Sequence, residues 1–402
     1  MLRKRIVPLL LVLCMLFTAL PFQAFAAEEI IASGEHDVGR IKWKITSDGI
    51  LTLYGEGTMT GGNSYYSWDD YVDVVTKVVV EGGVVNVAPF AFDGMKNLQQ
   101  VVIEEGVQTL DENSFGDCPA LKTVSFPASL QVIDCAFIGC PALQEISFDP
   151  DTVSLSIYRN AFTGCDVREL TIPGGVKVIG RKAFSECNQL TKVNLAEGVE
   201  EIHREAFAEC FNLGGYLCIP STVTMLEPGS FDSAANWDTI EIRTAAQDIS
   251  FQNFTNLKQV VFAGDVTVVP NDIVWDCTSL ESVVFNSDIN KIGDGAFQGC
   301  SALKTITLPA SLVSIGGGAF GNSGLTEIVV PDGVTEVAGG AFGYCRDLVS
   351  AKLGASVETL GNGAFAECEK LETVDLANVR NIGSESFTYA SLKSVVIPET
   401  VE

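Results

Sequence analysis

One phrase recurs along most of this chain: an aliphatic pair, a glycine, Ala-Phe, a cysteine three residues after the phenylalanine, and then a leucine. Its clearest copies are Ile292-Gly293-Asp294-Gly295-Ala296-Phe297-Gln298-Gly299-Cys300 and Ile179-Gly180-Arg181-Lys182-Ala183-Phe184-Ser185-Glu186-Cys187. The phenylalanine falls at 92, 115, 137, 162, 184, 207, 231, 254, 297, 320, 342, 365 and 387, with Val274 in the remaining slot. That makes fourteen copies, spaced by about 23 residues. Self-similarity at such a period means a solenoid, because no coil of this size buries its apolar face alone and neighbours must share a core.

Each copy continues into a short strand such as Leu303-Lys304-Thr305-Ile306-Thr307-Leu308-Pro309. Strand side chains alternate, so Ile306 and Leu308 face inward, Thr305 and Thr307 face outward, and the proline ends the strand. Cys118, Cys140, Cys165, Cys187, Cys210, Cys277, Cys300, Cys345 and Cys368 all follow the Phe slot by three residues. This spacing predicts a ladder in one interior register, where cysteine acts as a small hydrophobe. Buried free thiols and some bridges between rungs both remain open. Cys218 falls in an outward strand slot, and Cys135 is off the ladder. His203 stands where other copies carry Gly180, Gly293 or Gly316, which reads as a turn substitution. His36 has no evident catalytic partner.

Motif matches dissolve into the repeat. Gly316-Gly317-Gly318-Ala319-Phe320-Gly321 satisfies a dinucleotide fingerprint but is the repeat's own turn, with no β-α-β unit around it. Gly175 to Lys182 has Arg181 where a phosphate loop needs lysine. Asp111-Glu112-Asn113-Ser114-Phe115 fails as a calcium loop because Phe115 offers no ligand. No catalytic residue, cofactor or metal is expected. A formal net charge of −26 opposes nucleic acid and anionic membranes as partners.

Residues 1–26 read as a secretory signal peptide: Arg3-Lys4-Arg5, an apolar stretch to Leu20, and Ala24-Phe25-Ala26. No later segment has the length of a membrane span. Between the leader and the repeats, residues 27–77 read as a β-rich N-terminal cap. Trp43 to Leu53 forms a hairpin turning at Asp48-Gly49. Tyr54, Tyr65, Tyr66, Trp68 and Tyr71 either pack over the first coil's open end or offer rings for sugar stacking.

The repeat phrase over residues 78–402 resembles the BspA-type leucine-rich repeat of bacterial cell-surface proteins, and the preceding segment resembles the cap that often goes with it. The resemblance implies a repeat solenoid, a right-handed leucine-rich repeat superhelix of about fourteen coils with a parallel β-sheet on one face. It also implies a secreted or cell-surface protein, without catalytic activity, that adheres to an extracellular protein or glycan. The least polar stretch of the outward strand row is Val261, Val284, Thr307 and Val329, continuing to Lys352. With Thr305 and Glu327 of the neighbouring row, it is the expected ligand-binding surface. A spacer in a larger envelope protein is the second reading, and a glycan-active enzyme a remote third. Leu392 to Pro398 reads as a further strand before the sequence stops inside the next copy. A further module or subunit is therefore the expected cap there.

Overall fold

The computed structural model describes residues 29–36, 40–61, 65–232, 236–399 and 401. The expected leader, residues 1–26, lies outside them. Strands β1 (Ile30–His36), β2 (Ile41–Thr46) and β3 (Ile50–Gly55) form an antiparallel sheet, and Gly49 at φ 84° makes the expected turn. β3 then pairs in parallel with β4 (Lys77–Val80), the first strand of the solenoid. From there the parallel ladder runs through Gln100–Ile103, Thr123–Phe126 and Glu145–Phe148.

Inside the coils the aromatic rings form a column. Phe92, Phe115, Phe137, Phe162, Phe184, Phe207 and Phe231 stack with centroids 5.0 to 5.5 Å apart. Phe297, Phe320, Phe342, Phe365 and Phe387 form a second column at 5.3 to 5.8 Å. Each fully buried ring contributes about 1.5–3 kcal/mol by leaving water, and stacking adds about 0.5–1.5 kcal/mol per pair. Trp68 caps the first column. It stacks on Phe92 at 5.6 Å, and its Nε1–H donates to the Ala91 carbonyl at 2.8 Å. Tyr66 stacks on Trp68 and donates to the Pro89 carbonyl. Both rings are buried, so these two pack over the first coil, while Tyr65 is exposed and Tyr54 and Tyr71 are half-buried.

The turn on which each phenylalanine sits has a fixed backbone rule. Residues two before and two after it adopt left-handed φ, as at Asn113 and Asp117, or Glu205 and Glu209. Such a conformation costs about 1–2 kcal/mol in a non-glycine residue. In return, alternate N–H groups all point at the next coil: Glu205, Phe207 and Glu209 donate to the Gly229, Ser230 and Asp232 carbonyls at 3.1, 2.8 and 3.2 Å. Cys135 belongs to this turn, two residues before Phe137 with φ 51°, which is why it stands off the thiol ladder.

Among the described residues the thiols are free, and those of the ladder are buried. Each ladder thiol donates to the carbonyl of the ring residue one coil earlier: Cys210 to Phe184 at 3.1 Å, Cys345 to Phe320 at 3.0 Å. That rule corrects one slot. Cys277 donates to Phe251, not Phe254, and Asn253 carries the left-handed φ of 60° two residues after Phe251. Phe251 therefore holds the ring position and Phe254 takes the cysteine slot, three residues before Leu257.

A second ladder, missed by the sequence reading, lies opposite the sheet. It consists mostly of two-residue strands, from Asn86–Val87 to Met225–Leu226 and from Val268–Val269 to Asn381–Ile382. The main sheet is itself in pieces. It breaks after Glu145–Phe148, after Lys192–Leu195 and after Ser282–Phe285. Two segments expected as strands are not paired as such: 303–309 and 392–398. Length explains the breaks after Glu145–Phe148 and Lys192–Leu195 and the one that follows 303–309, whereas Phe285 to Leu308 spans the same 23 residues as Phe262 to Phe285, so the break after Ser282–Phe285 carries no length change. Cys165 to Val167 and Ser323 to Leu325 are one residue shorter than Cys300 to Leu303, and Leu213 to Leu217 one longer than Leu190 to Val193. A strand offset by one residue presents the wrong backbone groups to its neighbour.

Candidate functional site

The expected binding row divides at the break. Val261 and Val284 sit side by side on the paired strands Gln259–Phe262 and Ser282–Phe285 and are only half-exposed. Thr305, Thr307, Glu327, Val329 and Lys352 come together beyond the break, where they line one groove of about 610 Å³. Thr305 and Thr307 point outward as the alternation predicts, although their strand has no ladder. Among the described residues no backbone bond joins 305–308 to the coil on either side; the neighbouring link is Thr326 N–H to the Lys304 carbonyl at 3.0 Å.

The groove floor comes from residues that sequence reasoning passed over. Ile306 is half-buried, as are Val283 and Phe285 across the break, so core edges reach the surface here. Val330, Pro331, Asp332 and Leu353 close the strand-end side. Val329 stands 57% exposed at the rim, a large apolar side chain between Glu327 and Lys352. An apolar floor with a mixed-charge rim can hold a partner by burial and orient it by polar contacts. The length change at Ser323–Leu325 was the sequence signal for this groove.

One carboxylate steadies the opposite strand ends. Asp347 accepts from Lys370 at 2.8 Å and Lys304 at 3.2 Å, and these two ammonium groups, Lys370 first, hold its carboxyl below the usual range. A second polar cluster lies on Gly214–Ile219 and Asn236–Ile242. Tyr216 donates to Glu241 at 2.6 Å, and Arg243 Nε donates to the same carboxylate at 2.6 Å. Burial raises the half-exposed Cys218 thiol beside them, Arg243 opposing. His203 keeps its turn position and bridges two coils, its ring nitrogens 3.1 Å from Glu201 and 3.2 Å from Glu227. No group of three or more His, Cys, Asp or Glu placed to hold a metal occurs among the described residues. No described helix is long and apolar enough to cross a membrane.

Among solved structures, the chain is similar to a leucine-rich repeat protein from Bacteroides ovatus, with 22% identity, 87% of this chain and 94% of that one covered, and a TM-score of 0.44. A leucine-rich cell-surface protein from Faecalibacterium prausnitzii aligns at 20% identity over 92% and 100%, TM-score 0.35. The pneumococcal vaccine antigen PcpA aligns at 18% over 93% of each, TM-score 0.32. No curated protein matches the chain. The family model described as BspA type leucine-rich repeat region matches residues 70–156, 155–281, 244–349 and 290–402, and so reaches from the end of the cap segment through every coil. The chain belongs to the BspA-type leucine-rich repeat family.

Proposed function

We propose that this chain is an exported recognition protein without catalytic activity. Residues 1–26 serve as its leader, 27–77 cap the solenoid, and the sheet face from Val261 to Lys352 binds an extracellular protein or glycan. The observation that carries this reading is the groove. Five of the seven residues expected to bind, Thr305, Thr307, Glu327, Val329 and Lys352, line one concavity over an exposed core edge. Its size falls in the range of pockets that hold a ligand or an anchoring side chain. Val261 and Val284 extend the contact across the break.

The test is a binding screen of the full chain against immobilised extracellular-matrix proteins and glycans, repeated with Val329→Asp and Lys352→Glu. Both positions are exposed, so each substitution changes stability by only about 0.5 kcal/mol or less. A saturable hit should weaken at least about tenfold with Val329→Asp. A hit indifferent to both substitutions would place recognition elsewhere. A spacer is the second reading, favoured by the single hydrophobic core that runs from Ile41 to Val379. A folded chain with no hit would support it.

A further inference from the structure

The turn edge of the solenoid contains a cleft of about 740 Å³ between the coils of Phe231 and Phe251. It exists because only 20 residues separate these two ring positions, against 23 between Phe251 and Val274. Here the rule of the turn stops being satisfied. The Gly229, Ser230 and Asp232 carbonyls are taken by the preceding coil, and Phe251 and Asn253 N–H donate onward to Ile273 and Trp275. Between the two, the Gly229 and Phe231 N–H groups and the Ser250 and Gln252 carbonyls have no partner among the described residues. These are the groups that pair in other coils, where Phe207 donates to Ser230 and Glu209 to Asp232.

One wall of the cleft therefore carries a row of donors and the other a row of acceptors, each spaced two residues apart. An extended backbone has that period, with N–H and C=O groups alternating from edge to edge. The floor is apolar. Phe231 stacks on Phe207 on one side, meets Trp237 in a T-shaped contact at 88°, and lines the cleft with Phe254. Phe254, in the cysteine slot, is 8% exposed where the ladder cysteines are sealed. The rim carries Glu227 and Asp232 against Arg204, on a chain of formal charge −26.

We infer that this cleft binds an extended peptide as an inserted rung. Its carbonyls accept from Gly229 and Phe231, its N–H groups donate to Ser250 and Gln252, an inward aromatic side chain meets the floor formed by Phe231 and Phe254, and flanking lysines or arginines face Glu227 and Asp232. Strand addition of this kind draws affinity from main-chain bonds and selectivity from the inward side chain. The site is separate from the sheet-face groove.

The probe is the labelled peptide acetyl-Lys-Val-Phe-Val-Lys-amide, titrated into the full chain by fluorescence anisotropy, with Leu, Tyr and Trp versions at the centre. Binding should be saturable for the aromatic versions and at least tenfold weaker when the amides facing Ser250 and Gln252 are N-methylated. Pro228→Trp, which crowds the exposed mouth, should weaken binding at least tenfold, and Asp232→Lys severalfold. Amide exchange at Gly229 and Phe231 should slow with bound peptide, while Val329→Asp leaves the titration unchanged. Four peptides that fail to bind a folded chain would overturn the inference. So would equal affinity for the N-methylated peptide, or unchanged exchange at Gly229 and Phe231.

Discussion

Two of the solenoid's faults are opposites. At Phe231–Phe251 the turn edge is open while the sheet stays closed, with Asn236–Ile242 paired to Gln259–Phe262. At 303–308 the sheet is open while the turn edge stays closed, Phe297 donating to the Ala319 carbonyl at 2.8 Å. A coil here is clamped on two sides, and losing one side leaves a cavity without severing the stack. Both cavities lined by apolar floor and polar rim arise in this way. Recognition surfaces in such a repeat are therefore sought where its length varies, not where its sequence is most regular.

The largest expected difference compares a closed coil with the turn-edge fault. Phe184 is stacked on both faces, so Phe184→Ala should cost about 3–5 kcal/mol. Phe231 is stacked on one, and Phe231→Ala should cost about 1 kcal/mol less. Hydrogen exchange in rising denaturant resolves individual coils and would measure both. Equal costs would break the claim that the ring column ends at Phe231. Native-state exchange also separates the two faults. Amides at Gly229 and Phe231 should exchange about a hundredfold faster than those of Ile240 and Val260 on the closed sheet. Amides at Thr305 to Leu308 should exceed Phe297 and Phe320 by a similar factor. Fast exchange on both sides of one coil would mean that the faults are local unfolding rather than cavities.

How much of this was legible follows from which residues carry it. The ring column, the thiol ladder and the outward Thr305 and Thr307 were readable because each depends on a slot the repeat refills in every coil. The turn-edge cleft was hidden by one assignment. Phe231 and Phe254 are 23 residues apart and look regular, so Phe254 passed for a ring residue and the short coil went unnoticed. Leu257, three residues after Phe254, marks Phe254 as the cysteine-slot residue, because a leucine follows the ladder cysteine by three in Cys210–Leu213 and Cys300–Leu303. A buried phenylalanine and a buried cysteine satisfy the same apolar slot, so hydrophobicity alone could not separate them. The break beyond 303–308 was signalled by the missing residue at Ser323–Leu325, while the one before it falls in regular 23-residue spacing and has no such signal. The second ladder of two-residue strands has no signal of its own, being too short for alternation to show.

Thiol chemistry sharpens the comparison at smaller scale. Burial raises the ladder thiols, pushing Cys277 up to about 12 and Cys345 to about 11, so little thiolate exists at neutral pH. In native protein the half-exposed Cys218 should react first with a thiol reagent, as mass spectrometry would show. Cys277, whose thiol meets the Phe251 carbonyl beside the cleft, should follow before Cys187 in the closed column. A reversed order would mean that the turn-edge fault does not loosen its neighbouring coil.

The smallest effect concerns what holds the unpaired coil at the sheet fault. Lys304 lies on that coil, and its ammonium reaches past the side-chain-free Gly324 to Asp347, which Lys370 also holds. Because Asp347 is depressed below its ordinary value of 3.8, its contribution is present above that pH and is lost as pH falls through the lower folded value. The carboxylate is 41% exposed, which limits the clamp to about 0.2–1 kcal/mol and makes it weaken with salt. Asp347→Asn should therefore speed exchange of the Thr326 amide, which bonds Lys304, at pH 7 and low salt. The difference from the unmodified chain should shrink at high salt and as the pH is lowered past 3.8. The Phe207 amide, in a coil whose turn edge is closed, should not respond. A response at Phe207 as large as at Thr326 would show that the coils act as one unit and that the faults carry no local instability.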